Sequence, residues 1–181
     1  MKKISILGST GSIGLNTLNI IYKKKNFFRI NLLSANKNYI KICAQIKKYK
    51  PYFFLISNIN TYLKVKKKFK NKTKTKIINK LEDFKIKKSD ITVAAIPGIA
   101  GLKPTLLKTS LSKKILIANK ESIICGWNLL RKKATKYKTK IIPVDSEHYS
   151  ILKIIENHEQ REINKVYLTA SGGPFLNYKK N

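Results

Sequence analysis

The chain has 181 residues, of which 39 are Lys or Arg and 9 are Asp or Glu, so its formal net charge is +30. Because 43% of the residues are hydrophobic, the chain has enough apolar content for one sizeable core, and disorder over its whole length is excluded. The lysines are spread along the chain, so the codon bias of an AT-rich genome explains the positive charge better than a nucleic-acid-binding function. The alternative is a basic nucleic-acid-binding protein that uses Lys64–Lys80.

Apolar runs alternate with amphipathic segments along the chain. This order predicts an α/β fold with a doubly wound, mostly parallel, Rossmann-like sheet that is covered on both faces. The predicted strands are Ile4–Gly8, Arg29–Ala35, Tyr52–Ser57, Ile91–Pro97, Lys114–Ala118, Lys140–Val144 and Lys165–Thr169. The predicted helices are Ile13–Lys25, Tyr39–Tyr49, Thr61–Phe69, Leu102–Leu111, Ser122–Tyr137 and Tyr149–Asn157. We expect the lysine-rich stretch Lys64–Lys80 to be a helix end followed by a solvated loop.

Hydropathy and cysteine spacing indicate a cytoplasmic protein. An apolar run begins within three residues of Met1, and no apolar run reaches the roughly 18 residues of a membrane span. We therefore expect neither a signal peptide nor a membrane partner. Cys43 and Cys125 lack the spacing of a zinc site or a disulfide framework, as is usual in a reducing compartment.

Three glycines span the junction between the first predicted strand and the first predicted helix. In a turn of this kind Gly8 would allow a sharp bend, Gly11 the close approach of a pyrophosphate, and Gly14 the packing of the helix against the strand. The free N–H groups at the start of the helix would then face the anion. The position of the motif favours a dinucleotide site over a purely structural turn.

The end of the second predicted strand distinguishes between the two nicotinamide cofactors. An acidic residue there would accept hydrogen bonds from the ribose of NAD, whereas a 2′-phosphate needs cations and amides. The segment Ser34–Asn38 contains no carboxylate and includes Lys37. The sequence therefore favours NADPH.

Acidic residues are rare in this chain, and three of them follow predicted strands: Glu121, Asp145 and Glu147. The carboxyl ends of the strands are where ligands bind in an open α/β sheet. If residues 143–148 are extended, the carboxylates of Asp145 and Glu147 point to the same side and converge on a hard cation such as Mg²⁺ or Mn²⁺. Alternatively, Asp145 or Ser146 caps the helix that follows, and spacing does not separate the two interpretations.

Four motifs follow one another along the chain: Gly8–Gly14, Ala118–Ser122, Pro143–His148 and Thr169–Phe175. Together, in this order, they resemble the 1-deoxy-D-xylulose 5-phosphate reductoisomerase family. The resemblance implies an NADPH-dependent enzyme with a divalent cation. Its substrate would be a small phosphosugar, 1-deoxy-D-xylulose 5-phosphate. The enzyme would rearrange it and reduce it to 2-C-methyl-D-erythritol 4-phosphate, a step of non-mevalonate isoprenoid biosynthesis.

The resemblance also implies the cofactor contacts. The residues expected along the NADPH pyrophosphate are Thr10, Gly11, Ser12 and Ile13. Those expected near the 2′-phosphate are Asn36, Lys37 and Asn38, and the family usually has glycine in place of Asn36. Those expected on the nicotinamide side are Asn119 and Glu121.

The same resemblance implies the catalytic groups. Asp145 and Glu147 would hold the metal and act in catalysis with Lys120, which would reach the substrate. Ser146, Glu147 and Ser171 would contact the substrate as well. The metal would stabilise the developing oxyanion and then polarise the aldehyde that accepts hydride.

The resemblance finally implies a domain division. Residues 1–147 would form the NADPH-binding domain, and residues 148–181 the beginning of an α+β catalytic domain. Family members continue past this point with a third metal carboxylate, a lid and a phosphate-binding set, and they suggest a homodimer. The alternative to an active enzyme is a truncated remnant that binds NADPH without turnover.

Overall fold

One parallel sheet of seven strands organises the computed structural model, which describes residues 1–82 and 88–167. The strands are β1 (Lys2–Leu7), β2 (Phe28–Ala35), β3 (Phe53–Ile56), β4 (Lys76–Ile78), β5 (Ser89–Ala94), β6 (Ser112–Ile117) and β7 (Lys140–Pro143). Their spatial order is β4-β3-β2-β1-β5-β6-β7, with every neighbouring pair parallel. The chain builds outward from β1 to β4 and then crosses to β5 on the other side of β1. The predicted doubly wound α/β fold is therefore confirmed.

Six α-helices connect or follow the strands in the described residues. They are α1 (Ser12–Lys23), α2 (Tyr39–Tyr49), α3 (Ile59–Lys68), α4 (Leu102–Thr109), α5 (Lys120–Tyr137) and α6 (Ser146–Ile155). A 3₁₀ turn, Ile99–Gly101, precedes α4, and another spans Gln160–Glu162. Among these helices, none is long and apolar enough to cross a membrane.

Neighbouring residues of one strand lie in different apolar clusters. Leu33 and Phe54 belong to one cluster, whereas Leu32 and Phe53 belong to the other. Because successive side chains of a strand point to opposite faces, both faces of the sheet are buried. This explains why the central strands read as continuous apolar runs rather than as alternating patterns.

Two of the predicted elements are wrong in the described residues. The stretch Lys64–Lys80 contains a strand, β4, whose three residues pair with β3 and with no other strand of the described residues. Its apolar residues are too few to stand out among the lysines, although Ile78 is buried in the core. In the predicted strand Lys165–Thr169, residues 165–167 form no strand, and the remaining two lie outside the described residues.

The chain divides into two compact units. The first is Met1–Pro143 and contains the whole described sheet. The second begins at Val144 and contains α6.

Candidate functional site

The sheet reverses its winding direction at its two central strands. β1 pairs with β2 on one side and with β5 on the other, and the chain leaves β1 and β5 in opposite directions. In such sheets a crevice forms outside the carboxyl ends of these strands. The glycine turn follows β1, and the loop 95–98 follows β5, so both lie at this edge.

Two positions of the glycine turn accept no side chain. Gly8 has φ +82°, and a Cβ on it would lie 2.6 Å from the carbonyl oxygen of Ala95 in the neighbouring loop. A Cβ on Gly14 would lie 2.6 Å from the Cα of Ser9. By contrast, a Cβ on Gly11 would meet only Gly8 O at 3.5 Å, an ordinary contact. Gly8 and Gly14 thus serve the bend and the close packing of α1, as the spacing predicts.

The start of α1 is open to a ligand. Its N-cap is Gly11, and no side chain in the described part of the protein caps the helix. Most of the other described helices have such a cap: Asn38, Asn58, Asn119 and Asp145 each accept a hydrogen bond from the backbone N–H three residues on. The first N–H groups of a helix have no partner within it and lie at the positive end of its dipole. This turn holds Thr10, Gly11, Ser12 and Ile13 together, the four residues predicted to line a pyrophosphate.

A buried glutamine of α2 forms hydrogen bonds with the glycine turn. Gln45, in α2, is 3% exposed, and its Nε2 donates to Ser9 O at 2.8 Å. The hydroxyl of Ser9 donates to Gln45 Oε1 at 2.7 Å. The backbone N–H of Ser9 donates to Ser34 O at 2.8 Å. Sequence reasoning missed Gln45 because 36 residues separate it from Ser9 and no local motif marks it.

The loop after β2 places the three residues predicted at the 2′-phosphate together, but two of their side chains are already hydrogen-bonded. Asn38 Oδ1 accepts from Lys41 N at 3.0 Å and so caps α2. Asn36 Oδ1 accepts from Ser57 Oγ at 3.3 Å. Lys37 is exposed. The Lys41 ammonium is directed to the glycine turn instead, where its Nζ lies 3.4 Å from Thr10 O.

Asn119 joins the loops that follow β5 and β6. It is 4% exposed, its Oδ1 accepts from Ser122 N at 2.7 Å, and its Nδ2 donates to Ile96 O and to Gly98 O, the latter at 2.8 Å. A primary amide has two N–H donors, so both are used within the protein. The side-chain donors of Asn119 are therefore not available to a cofactor.

Gly101 packs closely against Asn119, and no sequence motif marks this glycine. A Cβ on Gly101 would lie 2.5 Å from Ile96 O and closer still to the amide of Asn119. Lys120 and Glu121 follow as exposed residues of the first turn of α5. The predicted nicotinamide-side residues thus lie at the start of one helix, with Asn119 as its buried cap.

The second unit begins with the acidic motif. Asp145 is the N-cap of α6, and its Oδ1 accepts from His148 N at 3.0 Å and contacts His148 Nδ1 at 2.6 Å. Burial raises the pKa of Asp145, but the hydrogen bonds from His148 outweigh it and the pKa is lowered overall. Ser146 Oγ donates to Glu147 Oε2 at 3.0 Å. The helix-cap interpretation is therefore confirmed.

The extended geometry predicted for this motif is wrong, because α6 begins at Ser146 and Glu147 lies in its first turn. The two carboxylates still occupy the N-terminal end of one helix, and carboxylate oxygens are ligands suited to Mg²⁺ or Mn²⁺. Within residues 1–82 and 88–167, no group of three or more His, Cys, Asp or Glu side chains could hold a metal ion. The donor set thus fits part of a hard-cation site. Ser171, the predicted substrate contact, lies outside the described residues.

Two further features lie in the first unit. Lys108 is fully buried, its Nζ lies 3.3 Å from Ser89 Oγ, and burial lowers its pKa to about 8.

A cavity of about 890 Å³ is bordered by the loop 71–75, by Tyr52 and by the end of α2. Its cationic lining residues are Arg29, Lys47, Lys50, Lys72 and Lys74.

Comparison with protein families gives two successive matches. Residues 4–126 match the model of 1-deoxy-D-xylulose 5-phosphate reductoisomerase, and residues 141–181 match that of the C-terminal domain of the same enzyme. The reductoisomerase of Pelagibacter ubique is 47% identical over 98% of this chain and 47% of its own length. The chain therefore spans about half the length of the curated relatives it matches.

Solved structures agree with the family matches. The Zymomonas mobilis reductoisomerase in complex with NADPH has a TM-score of 0.88 and 29% identity, covering 98% of this chain and 47% of that one. A reductoisomerase in complex with NADPH, fosmidomycin and magnesium has a TM-score of 0.76 and 36% identity, covering 82% of this chain and 37% of the other.

Proposed function

This chain belongs to the 1-deoxy-D-xylulose 5-phosphate reductoisomerase family, and on that premise we propose that residues 1–147 bind NADPH for such an enzyme. The observation that carries the proposal is the glycine turn after β1, which leads into a helix without a side-chain cap. Amide N–H groups and the positive helix end suit a pyrophosphate at Thr10, Gly11, Ser12 and Ile13. Relatives of the same fold bind NADPH.

The loop after β2 supports NADPH rather than NADH. Residues 1–81 contain no Asp or Glu, so no carboxylate on β2 or the loop after it can accept the ribose hydroxyls of NADH. Lys37 is exposed there, and Lys41 extends from α2 toward the glycine turn. The ammonium group of Lys37 favours the additional 2′-phosphate of NADPH. Asn36 and Asn38 shape this loop through their hydrogen bonds and contact the phosphate through remaining amide groups.

The proposed reaction is the reductoisomerisation of 1-deoxy-D-xylulose 5-phosphate. Asp145 and Glu147 would hold a divalent cation, and that cation would supply Lewis-acid stabilisation of the substrate oxygens. Lys120 and Ser146 would bind substrate, as would Ser171. The N-terminus of α6 supports the paired carboxylates, because its dipole stabilises negative charge. Residues 148–181 would begin the catalytic domain, and the whole enzyme would be a homodimer in the cytoplasm.

Isothermal titration of the purified 181-residue chain with NADPH and with NADH tests the cofactor assignment. We expect NADPH to bind at least tenfold more tightly, a difference of about 1.4 kcal/mol or more. Lys37→Gln should reduce that preference, while Lys132→Gln, which removes the same charge from an exposed position on α5, should leave it unchanged. Equal affinity for both cofactors would contradict the assignment.

Turnover separates the enzyme from a remnant that binds NADPH without catalysis. We expect NADPH oxidation to depend on both deoxyxylulose phosphate and Mn²⁺ if the catalytic groups are complete. Glu147→Gln keeps the shape of the side chain and removes its charge, so it should abolish turnover and leave NADPH affinity unchanged. NADPH binding without turnover, at any metal concentration, would show that residues 1–181 bind the cofactor without catalysing the reaction.

A further inference from the structure

The amide of Gln45 is oriented by what it contacts. Ser9 O can only accept a hydrogen bond, so the Gln45 atom 2.8 Å from it must be the nitrogen. The oxygen of the same amide then faces the Ser9 hydroxyl, which donates to it at 2.7 Å. One side chain therefore satisfies both polar groups of Ser9 that face α2. Both hydrogen bonds lie in a buried environment, where such bonds are strongest.

These bonds fix the direction of an N–H group in the glycine turn. The carbonyl of Ser9 and the N–H of Thr10 belong to one planar, trans peptide unit, so they point in opposite directions. When Gln45 holds the carbonyl toward α2, the N–H of Thr10 points away from it. Within the part of the chain that the structure describes, this N–H has no hydrogen-bond partner. A donor held in one direction and left unpaired is preorganised for a ligand.

Helix α2 also borders the loop after β2. Asn38 caps its first turn, and Gln45 lies seven residues further along the same helix. One helix therefore supports the region proposed for the 2′-phosphate at its start and the glycine turn at its middle. Lys41 lies between them, with its ammonium 3.4 Å from Thr10 O.

We propose that Gln45 is a positioning residue for NADPH: it aims the Thr10 N–H at the cofactor pyrophosphate by holding the Ser9 carbonyl. This inference rests on the proposed cofactor function. Gln45 contacts no cofactor atom itself. Its loss should weaken ligands that carry the pyrophosphate and leave those that carry only the adenosine 2′-phosphate unaffected.

Isothermal titration of the 181-residue chain provides the test, with NADPH and adenosine 2′-monophosphate as the two probes. Gln45→Met replaces the amide with an apolar chain of similar size. We expect its Kd for NADPH to rise about tenfold and its Kd for adenosine 2′-monophosphate to stay within about twofold of the native chain. Ile46→Val, a buried change on the same helix that makes no bond to the turn, should leave both values within about twofold despite a lower Tm.

A second variant keeps the test valid if Gln45→Met does not fold. Titrated at alkaline pH, where its carboxyl group is ionised, Gln45→Glu preserves the shape and the oxygen that faces the Ser9 hydroxyl but lacks the donor to Ser9 O. It should lose NADPH affinity as Gln45→Met does. Unchanged NADPH affinity in these variants would overturn the inference, as would equal losses for both probes, which would indicate displacement of the whole helix. Failure of the native chain to bind NADPH would instead overturn the proposed function.

Discussion

Lys108 offers a direct test of how the first unit is stabilised, because its ammonium is fully buried with no carboxylate bonded to it in the described residues. Burial lowers its pKa from 10.5 to about 8. Each pKa unit corresponds to about 1.4 kcal/mol, so keeping the charged form in the core costs about 3 kcal/mol at neutral pH. Lys108→Met removes this cost with little change in volume.

The hydrogen bond that this substitution removes is replaceable. Ser89 Oγ also contacts Ser5 Oγ at 2.7 Å and Asn31 Nδ2 at 3.1 Å, so it remains paired when the ammonium is gone. We therefore expect Lys108→Met to raise the free energy of unfolding at pH 7 by about 2 kcal/mol. For a chain of this length that corresponds to a Tm increase of about 6 °C.

The pH dependence gives the reasoning a second check. Between pH 8 and pH 10.5 the unfolded chain keeps a proton on Lys108 that the folded chain has lost, so the native stability contributed by this residue rises with pH. The advantage of Lys108→Met over the native chain should therefore shrink across that window. Urea unfolding followed by circular dichroism at pH 7 and pH 9.5 measures this difference in the free energy of unfolding. The control Lys132→Met, an exposed change on α5, should be no more stable than the native chain at either pH. A variant less stable than the native chain at pH 7, or an advantage independent of pH, would refute the argument.

Three other predictions concern the loops and the basic surface. Gly14→Ala should lower Tm markedly, whereas Gly11→Ala should not, because only the former Cβ overlaps the backbone of Ser9; thermal melts compare them. Asn119→Asp keeps the oxygen that caps α5 but loses both N–H donors, so it should lower the free energy of unfolding by about 2 kcal/mol in urea. The same change at the helix cap Asn58 should lower it by less. Replacing two lysines that line the 890 Å³ cavity should weaken DNA binding no more than replacing two lysines of α5, as measured by gel shifts at several salt concentrations. A larger loss of DNA affinity for the cavity lysines would favour the nucleic-acid-binding alternative.

The sequence predicted those parts of the fold whose signals are local. Strands buried on both faces give continuous apolar runs, and the glycine turn is a contiguous motif, so β1 and the start of α1 were placed to within a few residues. β4 escaped prediction because a three-residue edge strand needs little apolar surface and its neighbours are lysines. Pairing with β3 is a long-range interaction, and no local pattern reports it.

The candidate site follows the same division. Thr10 and Lys37 stand in motifs and were predicted from them. The residues that pack against those motifs were not predicted, because they act through contacts with residues distant in sequence. Gln45 hydrogen-bonds to Ser9. Gly101 packs closely against Ile96 and Asn119. A buried polar residue in an amphipathic helix is a weak signal that such a support exists, since burial without a partner would be costly.

Asp145 shows why spacing could not choose between a helix cap and a metal ligand. A carboxylate has two oxygens, and the structure uses Oδ1 for the backbone N–H and ring of His148. The cap therefore leaves the other oxygen as a possible ligand, and the helix that it starts carries Glu147 in its first turn. The two interpretations are compatible, since the cap orients the carboxylate and the dipole of α6 stabilises its charge. Asp145→Asn, which retains a capping oxygen, should therefore keep α6 folded and lose Mn²⁺-dependent turnover, whereas a purely structural cap would leave that turnover intact.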